Sequence, residues 1–494
     1  MQTVAPPPVA LRPVPDDKEE LALYLKEAAA LEQQFMCQYL YAAFSLKKQP
    51  DETCSPAQLE IVRRWASQIY MIARQEMEHL SIANSLLTAI GSQPWFGHSN
   101  FPTQAPWYES SALEFKKLLQ SDPDPCDFPF FLQAFELSVA KRFCCMESPL
   151  IKYVSPQDQE NVLKWCYKTS DDSCGCTPAS NDLLKSNDSL MPWRGFVPKP
   201  DPAANDVQPG TVQELYEAIA EGFKRLNSTL GPKVLFSGHQ SGQSQIPSEY
   251  DIYLFSICDL DTALTGIRLI TQQGEGIDGP PGYDSHFQNY YDMVVEYEAL
   301  LKLDPKFKPS LPLPFNPKLK QYKTPITAKA VEAFNAGYVA MLYMLAAYYA
   351  NYRSSKYNQM PYLFQALEQT VFAPTMTMLI RSLAEVITQL PADKKGAPAG
   401  PTFYLSDLVL KMLENPTAPV FLDINFHIGN LKEVAGMLEK IIAQEEPVSP
   451  RRPKWIYIHQ NVLRMMANLE YIYENGTYPK FVNLPTCSED ESCS

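Results

Sequence analysis

The sequence predicts an all-α protein, and three observations carry that expectation. Apolar residues recur at three- and four-residue spacing over several long stretches, as one buried helix face requires. No set of segments alternates apolar and polar residues the way half-buried strands do. Proline-rich segments separate the patterned stretches, with 43 prolines against 20 glycines in 494 residues.

Residues 1–17, MQTVAPPPVALRPVPDD, read as an extended arm and lack the apolar core of a signal peptide. Asp16 and Asp17 precede an unbroken helical pattern to about Lys48, where Gln49-Pro50 stops it. Ser55 as N-cap and Pro56 at the first helical position open a second helix that ends at Gly91. Its roughly 35 residues make it about 50 Å long. Two such helices joined by a short turn pack as an antiparallel hairpin, the first half of a bundle.

Residues 92–128 read as a structured loop with a short helix near 111–120. A third helix spans about 129–147 and is closed by Ser148-Pro149, and residues 171–210 read as a long surface loop. Thr211 to Glu214 spell a capping box for a helix ending near Asn227. The next helix runs from about Ile252 to Gln273, breaks at Gly274-Glu275-Gly276, and is followed by one starting near Asp284. Further helices recur at about 326–353, 361–390, 405–414, 428–444 and 454–473. The expected organisation is the arm (1–17), a helical bundle (18–303), a Pro-rich linker (304–325), a C-terminal helical unit (326–480) and a tail (481–494).

A composition 45% hydrophobic and 20% charged is globular. A net charge of −14, with no basic strip, excludes sequence-independent nucleic-acid binding. The longest apolar run, YVAMLYMLAAYYA, is short and broken by tyrosines, so no membrane span is expected. Eleven cysteines without zinc-ribbon spacing are expected as mostly reduced thiols of a soluble, cytoplasmic protein.

The chemistry lies in RQEMEHLSIANSLLTAIG, residues 74–91. The core stripe of this helix runs Val62, Trp65, Ile69, Ile72, Glu76, His79, Ala83, Leu86, Ile90, so Glu76 and His79 fall inside it. In the first helix the stripe Leu21, Leu25, Ala28, Glu32, Phe35, Tyr39 likewise contains Glu32. An unpaired buried carboxylate costs several kcal/mol, so such a group is neutralised, paired or metal-bound. Two of them on adjacent helices, one within Glu-x-x-His, match half of a carboxylate-bridged di-metal site, because residues three apart share a helix face. A buried Glu–His pair, or a Glu–Arg pair with Arg63, Arg64 or Arg74 as donor, is the competing reading.

For the second half-site the candidates are Glu147, Glu217, Glu275 and His286. Glu147 lies at the margin of the stripe Leu132, Phe135, Val139, Phe143, Met146, whereas Glu217 points away from Leu215, Ile219, Phe223 and Leu226. Periodicity therefore favours Glu147 and makes Glu217 a solvated residue. Glu275 ends one helix and His286 starts its neighbour, so the two can converge; a Gly-flanked C-cap and an N-terminal-turn histidine explain them equally well. His98, His239, His427 and His459 are scattered and carry no expected role.

The strings ALEQQFMCQYLYAAFSLK, MIARQEMEHLSIANSL and RFCCMESP, followed in order by VQELYEAI, DLDTALTGIRLITQQGEG and DSHFQNYY, resemble the ferritin-like domain of the iminophenyl-pyruvate dimer synthase family. The resemblance covers roughly residues 18–300, and AFNAGYVAMLYMLAAYYA extends it to about 390. It implies a ferritin-like helical bundle with long loops and an added C-terminal helical unit. The family includes ferritin-like domains of enzymes that couple two tryptophan-derived imines. Carried over by position, it implies a metal cluster of Glu32, Glu76, His79, Glu147, Glu275 and His286, a ligand set that suits two iron ions or manganese.

The expected function is a non-haem di-iron oxidoreductase or oxygenase using dioxygen or peroxide on a small, amino-acid-derived molecule in specialised metabolism. Glu32, Glu76 and His79 would form its catalytic core, with Tyr39 lining the pocket, taking part in radical chemistry, or packing beside it. No nucleic-acid or membrane partner is expected, and an oligomer is compatible. Two other readings stay open: a ferritin-like metal-storage or detoxifying protein, and a metal-free helical interaction protein.

Overall fold

A computed structural model describes residues 14–104, 129–149, 153–166, 212–238, 253–277, 279, 284–351 and 358–477. The short helix expected near 111–120, the loop 171–210, Thr211 of the capping box, most of the arm and the tail lie outside the described residues.

Helix α1 (Lys18–Ser45) begins where the Asp17 carboxylate accepts from the Glu20 backbone N–H. Helix α2 (Pro56–Ala89) begins at a capping box of Ser55 and Gln58. It stops where Gly91 takes the left-handed conformation, φ +82°, that an L side chain disfavours. The two pack as the expected hairpin, and both bury nearly every residue along their C-terminal halves.

Helix α3 (Leu137–Met146) starts later than the apolar spacing predicts, because residues 129–136 are extended. Their backbone donors find partners elsewhere: Phe131 N–H donates to Gln38 Oε1 (3.0 Å), Leu132 N–H to Asn316 Oδ1 (2.9 Å) and Phe135 N–H to Ser45 Oγ (2.8 Å). With those donors satisfied, Leu132 and Phe135 reach the core without a helix. Pro129–Phe130 also pairs antiparallel with Thr103–Gln104, a two-residue ladder too small to change the all-α class. Helix α4 (Pro156–Cys166) follows, then α5 (Val212–Leu230), which runs slightly past Asn227.

Helix α6 (Leu260–Gly274) also starts later than expected from Ile252, since Asp259 and Thr262 form a capping box that sets its first turn. Helix α7 (His286–Leu303) is capped by Ser285. The C-terminal unit comprises α8 (Pro325–Asn351), α9 (Pro361–Ile387), α10 (Asp407–Leu413), α11 (Ile424–Gln444) and α12 (Arg452–Asn475). Within α9 the stretch Val371–Arg381 is wound as a π-helix around Pro374, whose missing N–H and ring disfavour an ordinary α turn.

Helices α8 and α9 are apolar and long enough to cross a membrane by length and composition. In α8, 83% of the most apolar window is buried inside the protein, as in a core helix. Its Tyr338 meets Gln33 of α1 and its Tyr349 meets Ser81 of α2, so the two expected units share one continuous core. Cys37, Cys54, Cys144 and Cys258 are free thiols, and Cys145 is disulfide-bonded.

Candidate metal centre

Helix ends and helix middles deliver Glu32, Glu76, His79, Glu147, Glu275 and His286 to one place. Glu32 sits midway along α1, and Glu76 and His79 share one face of α2. Glu147 is the residue after α3, where Ser148-Pro149 halts the helix. Glu275 ends α6 because Gly276 turns left-handed at φ +78°. A Cβ on Gly276 would lie 3.0 Å from Ser285 Oγ, so this close approach sets the end of α6 against the start of α7 and brings Glu275 and His286 to one level. All six side chains are at most 5% exposed, so water does not solvate their charges.

The two imidazoles stack with ring centroids 5.3 Å apart, and Glu76 lies between them. Glu76 Oε2 is 3.4 Å from His79 Nδ1, and Glu76 Oε1 is 3.0 Å from His286 Nδ1. Glu32 Oε2 stands 3.7 Å from His79 Nδ1, and Glu147 Oε2 stands 3.6 Å from His286 Nδ1. Each histidine thus presents Nδ1 to two carboxylates, in matching halves. Ligand atoms of Glu76, His79 and His286 all lie within 4.8 Å of one another. Despite these distances, both Glu76 oxygens, Glu275 Oε1 and His286 Nδ1 lack hydrogen-bond partners. The atoms converge on shared space rather than bonding to each other.

The far nitrogens are held from behind. His79 Nε2–H donates to Gln273 Oε1 (2.9 Å), whose amide donates in turn to Glu78 Oε2 (3.2 Å). His286 Nε2–H donates to Gln75 Oε1 (3.2 Å). An outer acceptor of this kind leaves the Nδ1 lone pair free to point inward. The terminal carboxylates are held likewise: Tyr216 donates to Glu32 Oε1 at 2.6 Å, and Tyr39 donates to Glu147.

The electrostatics record the crowding. Burial pushes Glu32 up to about 7, although His79 pulls it back. Burial and then the Glu147 charge hold Glu275 well above the carboxylate range. For His286, burial favours the neutral ring, but the Glu147 and Glu76 charges outweigh it and raise it to about 9. His79 is also raised, since the nearby Glu32 and Glu76 carboxylates overcome its burial. Without another cation, protons must offset this negative charge.

Glu217 is exposed and accepts a hydrogen bond from Gln213 Nε2 at 2.5 Å, outside the cluster. Arg63 and Arg64 are bonded to Glu60 and Glu296, away from it. His98 and His427 are buried elsewhere, His459 faces Glu439, and His239 lies outside the described residues. Sequence reasoning missed Gln75, Glu78, Gln273, Tyr216 and Tyr290. The available signal was position: Tyr290 is one turn beyond His286, and Gln75 and Gln273 flank cluster carboxylates.

A family model described as Ferritin-like matches residues 25–295. Dichlorochromopyrrolate synthase of Lentzea aerocolonigenes is 24% identical over 430 residues, covering 79% of this chain and 36% of that protein. The 2-imino-3-(indol-3-yl)propanoate dimerase of Chromobacterium violaceum is 25% identical over 427 residues, covering 80% of this chain and 35% of that one. The chain thus spans about a third of the length of these curated relatives, which agree with the resemblance read from the sequence. The crystal structure of a ferritin-like protein from Caulobacter vibrioides covers 78% of this chain and 99% of its own, at 15% identity and a TM-score of 0.45. The family match takes in more than half of the chain and all six clustered residues, and this protein belongs to the ferritin-like family.

Proposed function

We propose that the cluster holds two transition-metal ions, iron or manganese, and that the protein is a non-haem oxidoreductase acting on a small amino-acid-derived molecule. The observation that supports this most is the set of buried, unpartnered atoms Glu76 Oε1 and Oε2 and His286 Nδ1 converging beside His79, with Glu275 Oε1 likewise buried and unpartnered near Glu147. Such atoms are destabilising unless a cation completes them. Charge counting agrees. Four carboxylates would be balanced by two divalent ions with both imidazoles neutral, whereas two imidazolium ions offset only half. Oxygen and nitrogen donors of this kind suit iron and manganese.

Glu32, Glu76 and His79 would hold one ion and Glu147, Glu275 and His286 the other, with Glu76 between the two histidines. When bound, the ions supply redox chemistry toward dioxygen or peroxide. The chain's own part is to orient and to exclude water. Gln273 and Gln75 keep each Nδ1 directed inward. Tyr216 and Tyr39 fix the outer carboxylates. Phe143, Tyr39 and Tyr290 pack ring against ring beside the cluster and close it to solvent. The substrate class follows the relatives, one of which is named for dimerising an indole-bearing imino acid.

Elemental analysis with an optical spectrum of the purified, air-exposed protein tests the metal reading. About two non-haem transition-metal ions per chain are expected, and a metal-free protein overturns it. Single-turnover oxygen uptake should depend on an added aromatic amino-acid derivative. Uptake indifferent to any organic molecule would point instead to metal detoxification.

A further inference from the structure

Three buried phenols surround the cluster, and they are not equivalent. The Tyr39 hydroxyl is committed to Glu147 and the Tyr216 hydroxyl to Glu32. The Tyr290 hydroxyl is wholly buried and has no hydrogen-bond partner among the described residues. Tyr290 lies four residues after His286 on α7, hence on the same helix face. Its ring is fixed by Tyr39 and Phe143, with centroids 5.2 Å and 5.3 Å away. The carboxylates that act on its hydroxyl are Glu147 and Glu76. An idle buried O–H is destabilising, and a phenylalanine would make the same ring contacts. The hydroxyl therefore lacks an acceptor that the fold itself does not bring. Glu76 Oε1 and His286 Nδ1, which face each other at the start of the same helix, are equally unpartnered.

We propose that Tyr290 is a catalytic residue whose phenolic O–H donates a hydrogen bond to a small anion bound at the metal centre. The inference rests on the di-metal reading of the cluster. The anion must carry an acceptor for the phenol and reach the ions beside Tyr39, Phe143 and Tyr290, as a small anion of the class of azide or hydroperoxide would. Tyr39 and Tyr216 shape the centre by holding its carboxylates, and Tyr290 alone of the three is free to touch what enters.

The test titrates azide into the iron-loaded, oxidised protein and follows the azide-to-iron absorption band, with iron content measured in parallel. In Tyr290→Phe, azide should bind about tenfold more weakly or worse, as for loss of a hydrogen bond to a charged group, with iron content unchanged. Equal azide affinity at full iron content overturns the proposal and leaves the di-metal reading standing. Failure of the wild-type protein to take up iron overturns both. A second measurement needs no metal. Thermal unfolding of the metal-free Tyr290→Phe protein should match or exceed the wild-type midpoint, while Tyr39→Phe, which loses a made bond, should unfold lower. A clear drop for Tyr290→Phe would mean that the hydroxyl has a partner within the fold, and the proposal falls.

Discussion

Neighbours on α1, Glu32 and Gln33 serve two different buried polar clusters. Glu32 faces His79, Tyr216 and the other carboxylates. Gln33 Nε2 donates to the Tyr338 hydroxyl at 2.8 Å, which also meets Cys37 Sγ at 3.4 Å and His98 Nε2 at 3.1 Å. Both clusters hold a fully buried histidine beside a buried phenol. They differ in charge and in completeness. Around His98 no carboxylate intervenes among the described residues, Nδ1–H donates to the Ser99 carbonyl (2.8 Å), and burial pushes the ring down to about 4. Around His79 and His286 the carboxylates raise the rings instead and leave acceptor atoms unused. Burial of a histidine is therefore no mark of a site. A surplus of converging charge with unspent lone pairs is.

The sharpest way to break this contrast is Glu76→Ala. It removes a carboxylate that lies within 3.4 Å of one imidazole and 3.0 Å of the other, so metal content should fall to near zero, a loss of more than about 100-fold in affinity. Circular dichroism should stay helical, because the rest of the α1–α2 core remains packed. Full metal occupancy in this variant would reduce the cluster to a structural ion-pair network. Next comes Glu147→Gln, which keeps size and shape while removing a charge beside His286. Metal affinity should drop roughly tenfold or more, read by competitive titration against a chelator of known strength.

How much of this was legible beforehand differs residue by residue. Glu32, Glu76 and His79 stand out because one helical period places them where only apolar groups belong. That the end of α6 and the start of α7 would stand at one level was read from the sequence, with a C-cap and an N-terminal-turn histidine as the equal alternative for Glu275 and His286. The late starts of α3 and α6 were not equally legible. The former depends on Gln38, Ser45 and Asn316, acceptors far away in sequence that satisfy the extended backbone. The latter had a local signal, Asp259-x-x-Thr262, which the apolar spacing upstream overshadowed. The supporting shell was hidden for a different reason. Tyr216 and Tyr290 read as core aromatics, and only three-dimensional placement separates a packing ring from a positioned hydroxyl.

A pH experiment sharpens the contrast from the other cluster. His98 is held near 4 in the folded protein against an ordinary 6.5, so the unfolded chain binds its proton first as pH falls. The stability that His98 contributes is complete above pH 6.5 and is lost on descending toward pH 4, at up to about 1.4 kcal/mol per pH unit. In the metal-free protein, His98→Gln should flatten the acid limb of a urea-midpoint profile by that slope. His427, also held near 4 by burial, contributes a parallel slope that the substitution leaves in place. An unchanged profile would show that the His98 ring is already protonated in the folded state. Metal uptake at neutral pH should be the same with and without this substitution.

The smallest expected effect is also the most specific. Glu217 sits on α5 within four residues of Gln213, whose backbone bonds Glu275, so it is linked to the cluster at one remove. Its own carboxylate, however, is exposed and spent on the Gln213 side-chain amide. An exposed hydrogen bond of this kind contributes little, because water replaces it on either side of the unfolding equilibrium. Glu217→Gln keeps an acceptor oxygen in nearly the same place. It should therefore change stability by no more than about 0.5 kcal/mol and leave metal affinity within the error of the titration. The comparison with Glu147→Gln is what gives the small number its force. Both variants remove one negative charge from a glutamate near the cluster, so a general electrostatic effect would weaken metal binding in both. A large loss at Glu147 with none at Glu217 requires direct contact at the first and solvent screening at the second, whereas equal losses would mean that the cluster senses net charge rather than ligand atoms.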